Sequence, residues 1–182
     1  MIDKLKRAGF GTIAIADDTQ ENIYAAKQLG ERLQGINFEF YGEADALIKQ
    51  IPSRYKELGL ILTDRKMETD DAGLDVLEIA WQYLVPAFVC SGGYQHGNQP
   101  HVVVVPMLYR TPEGMTKESP DTWYKILEHI ADNVTEENET PLIKSLLRAR
   151  KLGLPAPEFL GRHARTIAKH HLDDVLTEYK TK

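Results

Sequence analysis

Short apolar runs alternate with amphipathic stretches along most of the chain. Thr12–Ala16 (TIAIA) is a β-prone run that stops on Asp17-Asp18. After Thr19-Gln20-Glu21, the residues Ile23, Ala26, Leu29 and Leu33 recur at the spacing of one helix face, and Gly35 closes that segment. Asn37–Tyr41 alternates as a second strand. Glu43–Ile51 forms a short helix with Ala44, Leu47, Ile48 and Ile51 inward, ended by Pro52. Leu58–Thr63 (LGLILT) is a third apolar strand, and it stops on Asp64. A helix from Gly73, with Leu74, Leu77 and Leu84 inward, is broken by Pro86. Ala87–Cys90 and His101–Val105 supply fourth and fifth strands, joined through Gly92–Pro100, which has no helical period and is expected to be a loop.

Strands that read as continuous apolar runs between helices point to a parallel sheet covered on both faces. The expected fold is therefore a doubly wound α/β domain with a five-stranded parallel sheet and right-handed crossovers. Beyond it lie a Gly/Pro-rich loop at 109–120, a helix at 121–131, an acidic break at 132–140, and helices at 141–152 and 157–179. The expected division is a body at 1–133 and a C-terminal helical extension at 134–182.

Charge sharpens that division. The net charge is −5. Residues 141–182 hold nine bases and four acids, leaving an acidic body of thirteen bases and twenty-three acids. The tail's leucines and isoleucines recur at intervals of three, four and seven, so they read as a packing face with Arg and Lys on its solvated side. Packing on the body, or on the tail of a second copy, is expected before nucleic-acid binding. With 182 residues, 42% of them hydrophobic, the chain can bury one core. It lacks an apolar run of about 20 residues that could cross a membrane. One cysteine, Cys90, allows no internal disulfide, which suits the cytoplasm.

Ligands of open parallel sheets bind beyond the carboxyl ends of the strands. Asp17 and Asp18 follow the first strand, Asp64 the third, and Ser91 the fourth. Converging carboxylates repel one another unless a cation compensates, and a hard divalent ion such as Mg²⁺ is the natural partner of oxygen ligands.

These residues resemble the receiver domain of two-component response regulators, over roughly 9–133. Ile15-Ala16-Asp17-Asp18 is similar to the family's paired acids after its first strand. LILTDRKM (60–67) resembles its phosphoacceptor strand, GLDVLE (73–78) the start of the next helix, and VPAFVCSG (85–92) the strand ending in a switch hydroxyl. The resemblance implies a flavodoxin-like strand order of 2-1-3-4-5 and a signalling module rather than an enzyme. It also implies Asp64 as phosphoacceptor and Ser91 as switch hydroxyl. Mg²⁺ would be held by Asp17, Asp18, Asp64 and the backbone carbonyl of Lys66, and the partner would be a histidine kinase or phosphotransfer protein. Where the family carries a lysine just before a proline at the end of strand five, this chain has Val105-Pro106. Two readings stay open: a phosphoacceptor that signals through protein contacts, and a degenerate receiver serving as a phosphorylation-independent interaction or dimerisation scaffold. A third, a Mg²⁺-dependent phosphohydrolase, lacks a second aspartate two residues after Asp64, where Lys66 stands.

Other features carry less. Cys90 lies within an apolar run and reads as a core residue. Ser91-Gly92-Gly93 lacks the glycine that precedes a nucleophile elbow. His96 and His101 flank the expected loop, and His163, His170 and His171 lack the tight spacings of a zinc site.

Overall fold

The computed structural model describes the backbone of residues 1–96, 99–105, 109–110, 116–133 and 141–180, and the side chains of 1–90, 116–132 and 145–170. Helix α1 (Ile2–Arg7) precedes β1 (Thr12–Ala16), α2 (Gln20–Arg32), β2 (Asn37–Tyr41), α3 (Ala44–Arg54), β3 (Leu60–Thr63) and α4 (Ala72–Gln82). Then come β4 (Ala87–His96), β5 (Gln99–Val105), β6 (Tyr109–Arg110), α5 (Pro120–Asn133), α6 (Pro141–Lys151) and α7 (Leu160–Lys180).

The sheet order is β2-β1-β3-β4-β5-β6. Strands β2, β1, β3 and β4 run parallel, so the broadly flavodoxin-like half of the expectation holds. The reversal of direction in strand order, from β2 on one side of β1 to β3 on the other, places α2 on one face and α3 and α4 on the other. Contacts agree: α2 packs with α5, and α3 packs with α4. β1 and β3 are buried along nearly their whole length because helices cover both faces, which is why their sequences show no alternation.

A five-stranded parallel sheet is not what forms. β4 continues past Cys90 to His96, and β5 returns antiparallel to it, pairing Val89 with Val105 and Ser91 with Val103. The register shifts between Ser91 and Tyr94, beside Gly92-Gly93, as a bulge does. β6 then pairs antiparallel with β5. The stretch expected as a loop in place of a crossover helix is thus largely strand. With no helix between the two strands there is no crossover, and only an antiparallel return can join them so briefly.

The tail closes the face that the missing helix leaves. α7 packs along α4 and also touches β4 and β5. Its Ala164 and Ala168, with Leu160 and with Leu146 of α6, belong to the same hydrophobic cluster as Trp81, Phe88 and Val85. Gly161 is the close approach. A Cβ built there overlaps the carbonyl oxygen of Glu78 on α4, so no larger residue allows this helix spacing. α6 ends in a Schellman turn, with Gly153 at φ +64°, Leu154 N–H bonding Ala149 O, and Gly153 N–H bonding Arg150 O. That turn reverses the chain toward α7. Arg150 fixes α6 by donating to the carbonyls of Leu58 at 2.6 Å, Tyr55 at 3.0 Å and Leu84 at 3.3 Å. Burial without a carboxylate partner holds its guanidinium below the usual arginine range.

Candidate functional site

β1 and β3 are neighbours in register, Ala16 opposite Thr63, so Asp17 and Asp64 emerge side by side at the carboxyl edge. The ladder extends into both: Asp64 N–H bonds Ala16 O at 2.7 Å, and Asp17 N–H bonds Tyr41 O at 3.0 Å. Asp17 is wholly buried. Its Oδ1 accepts the Thr19 backbone N–H at 3.0 Å, and Asn22 Nδ2 on α2 bonds both oxygens at 3.0 and 3.1 Å. Asp64 is oriented by the Lys66 N–H, which donates to Oδ2 at 2.9 Å.

Between the two carboxylates lies the ammonium of Lys117. It donates to Asp17 Oδ2 at 2.6 Å, to Asp64 Oδ1, and to the Cys90 carbonyl at 3.1 Å. Its side chain is 5% exposed. The segment that carries it is pinned by α5. Trp123 Nε1, on a ring that is itself buried, donates to Lys117 O at 2.8 Å, and Thr122 Oγ1 donates to Thr116 O at 2.5 Å. Ser119 caps α5 by accepting the Asp121 N–H at 3.3 Å, and Pro120 opens the helix, where its missing N–H does no harm.

The three groups form a buried cluster with two negative charges and one positive. Burial alone would lower the Lys117 pKa, but two facing carboxylates outweigh it and hold the ammonium above the usual lysine range. One cation cannot neutralise two acids. Burial, with Asp17 nearby, therefore holds the Asp64 carboxyl above its ordinary value although Lys117 and the Lys66 N–H favour the carboxylate. The cluster carries a residual negative charge in a largely water-free setting. Burial pushes the neighbouring Cys90 thiol up to about 12, so it has no thiolate character and is a core residue.

The remaining candidates fall around this cluster. Asp18 is exposed at its rim, with only a 3.5 Å bond from the Thr19 hydroxyl. Ser91 is internal to β4 rather than at a strand end, directly after the Cys90 whose carbonyl binds Lys117. The side chains of Ser91, His96, His101 and His171 lie outside the described residues. His163 and His170 are exposed on α7, and among the described residues no group of three acids, histidines or cysteines is arranged to hold a metal.

Lys117 is the residue that reading the sequence passed over. Val105 was expected to stand where a lysine is needed, but it sits on antiparallel β5, and the cation arrives twelve residues later, after the β5–β6 hairpin. The signal was present: Lys117 is the one lysine between Lys66 and Lys125, and it directly precedes a capped, proline-opened helix.

The four loops at this edge, 17–21, 42–45, 64–71 and 116–121, hold eleven acids against three bases. No family model, no curated protein and no solved structure matches the chain. Among the described residues no helix is long and apolar enough to cross a membrane.

Proposed function

We propose that this protein is a receiver-like signalling module in which Asp64 accepts a phosphoryl group. The observation that carries this reading is the Asp17–Lys117–Asp64 cluster at the carboxyl edge of adjacent parallel strands. A phosphoacceptor needs a carboxylate nucleophile with one oxygen oriented and a fixed cation beside it. Asp64 has Lys66 N–H on Oδ2 and Lys117 on Oδ1. In the reaction an Asp64 oxygen attacks phosphorus, the bond from phosphorus to the donor's leaving atom breaks, and the donor leaves with the bonding pair. Lys117 stays protonated throughout and turns one N–H from carboxylate to phosphoryl oxygen. Asp17, whose oxygens are taken up by Thr19, Asn22 and Lys117, serves to hold that ammonium in place.

A divalent ion is part of this reading on grounds of charge. The residual negative charge of the cluster and the acidic rim ask for one, and carboxylates are the donors that hard cations prefer. Asp18, Asp64 and the Lys66 carbonyl would hold Mg²⁺, with Asp17 behind them. Bound there, it would neutralise charge on the transferring phosphoryl group. The donor would be a phosphohistidine on a kinase or phosphotransfer protein, and the cytoplasm would be the compartment. Output would pass through protein contacts, with Ser91 as the hydroxyl that senses the phosphoryl group.

Beryllofluoride with Mg²⁺ mimics an aspartyl phosphate, and amide NMR detects it. Shifts centred on Asp64, Lys66 and Lys117, absent in Asp64→Asn, support the proposal. An unchanged spectrum leaves the second reading, a phosphorylation-independent scaffold. That reading draws on Lys117 already occupying Asp64 Oδ1 in a largely buried cluster.

A further inference from the structure

The loop that carries Asp64 is tied to the C-terminal helix. Arg65, the next residue, pairs through Nη2 with Asp71 Oδ1 at 3.2 Å. The other oxygen of Asp71 faces Lys169 of α7 at 3.5 Å. One turn further, Arg165 of α7 pairs with Asp75 and lies 3.7 Å from Glu78, both on α4. Backbone packing follows the same line. Gly73 N–H bonds Arg65 O at 2.9 Å, and a Cβ built at Gly73 overlaps the Asp64 carbonyl oxygen. On the far side of α4, Gly161 brings α7 onto the Glu78 carbonyl. Helix α4 is thus clamped between the acceptor loop and α7, with a glycine contact on each side.

We infer that Lys169 and Arg165 are positioning residues for the acceptor loop, so that docking of the tail helix on α4 and ligation of Asp64 favour one another. The inference rests on the proposed role of Asp64 as phosphoacceptor. Residues 64–71 provide the acceptor, the Lys66 N–H that orients it and the Lys66 carbonyl. Asp71 fixes the far end of this loop between a cation of the loop and a cation of the tail. A docked tail restricts the loop to one geometry, and a released tail takes the second cation from Asp71, leaving it held from the Arg65 side alone. Coupling between two sites is reciprocal: if docking strengthens occupancy of Asp64 by some factor, occupancy strengthens docking by the same factor.

The test uses the full chain with beryllofluoride and Mg²⁺. Lys169→Glu with Arg165→Glu sets negative charge against Asp71, Asp75 and Glu78. Both side chains lie at the surface of the α4–α7 seam, so the core persists, and far-UV circular dichroism checks this. Apparent affinity for beryllofluoride should fall about 10-fold in the reversed variant, while Lys169→Arg stays near wild type. In the wild type, beryllofluoride should slow amide exchange over 160–170 by a comparable factor. Unchanged affinity in a reversed variant whose α7 amides exchange freely would overturn the coupling while leaving the acceptor role intact. Absence of beryllofluoride binding in the wild type would instead remove the acceptor role, and the coupling with it.

Discussion

Replacing Lys117 with Met takes the ammonium from between two buried carboxylates while keeping most of the side chain's volume. The wild-type cluster carries one net negative charge, and the variant would carry two, at groups that are 1% (Asp17) and 13% (Asp64) exposed. Removing one partner of a buried ion pair costs about 3–5 kcal/mol, because the charge left behind has neither water nor a counterion. The loss depends on pH. In the wild type Lys117, held above 10.5, contributes stability that is fully present below that pH and is lost as pH rises through its folded value. Asp64 is held above 3.8, so the folded state binds its proton the more tightly, and stability declines as pH rises from 3.8 through the folded value. Without Lys117 that pKa rises further, and the decline extends to higher pH. Lys117→Met should therefore lose most in the alkaline range below the titration of Lys117, and progressively less as pH falls and the Asp64 carboxyl takes up a proton. Mg²⁺ should restore part of the loss, about 2.7 kcal/mol at a hundredfold excess over its dissociation constant. Urea unfolding at several pH values, with and without Mg²⁺, measures each quantity. A variant as stable as wild type at every pH would refute the cluster.

Three further substitutions probe other links. Gly73→Ala should cost about 3 kcal/mol or more, since the Asp64 carbonyl must move to admit the methyl group, and chemical denaturation reads it. Arg150→Met strips the donors from carbonyls at the ends of α3, α4 and the start of β3 and should cost about 2–3 kcal/mol, detected as a lower Tm. Val105→Lys should give no gain in phosphorylation from a small phosphodonor, because the Lys117 ammonium already lies against Asp64 Oδ1, and a gain would mean that Lys117 is not the working cation.

The parallel half of the fold was legible because its strands are buried on both faces and end in abrupt polar steps: TIAIA at Asp17 and LILT at Asp64. The same logic misled at Val102–Val105, since an apolar run reveals burial but not direction, and direction there follows from the absent crossover helix. Helix α1 was hidden by its polarity: only Leu5 is fully buried, and a six-residue helix shows too little of its period. Within the site, Asp17 and Asp64 were visible because each closes its own strand. Lys117 was not, because its position depends on Trp123 and Thr122 gripping the 116–119 backbone, a tertiary fact with no local pattern. In the tail, Leu146 and Leu160 are buried as their spacing suggested, but Leu152 is exposed, and the contact with α4 runs through the small residues Gly161, Ala164 and Ala168, which an apolar period does not single out.

The most direct measurement is mass spectrometry of the intact chain after incubation with a small-molecule phosphodonor and Mg²⁺, followed by mapping of any modified residue. Transfer of a single phosphoryl group to Asp64, dependent on Mg²⁺ and sharply reduced in Lys117→Met, is the expected result. Phosphorylation at another residue, or none at any donor concentration in protein that binds Mg²⁺, would contradict a phosphoacceptor built from Asp17, Asp64 and Lys117.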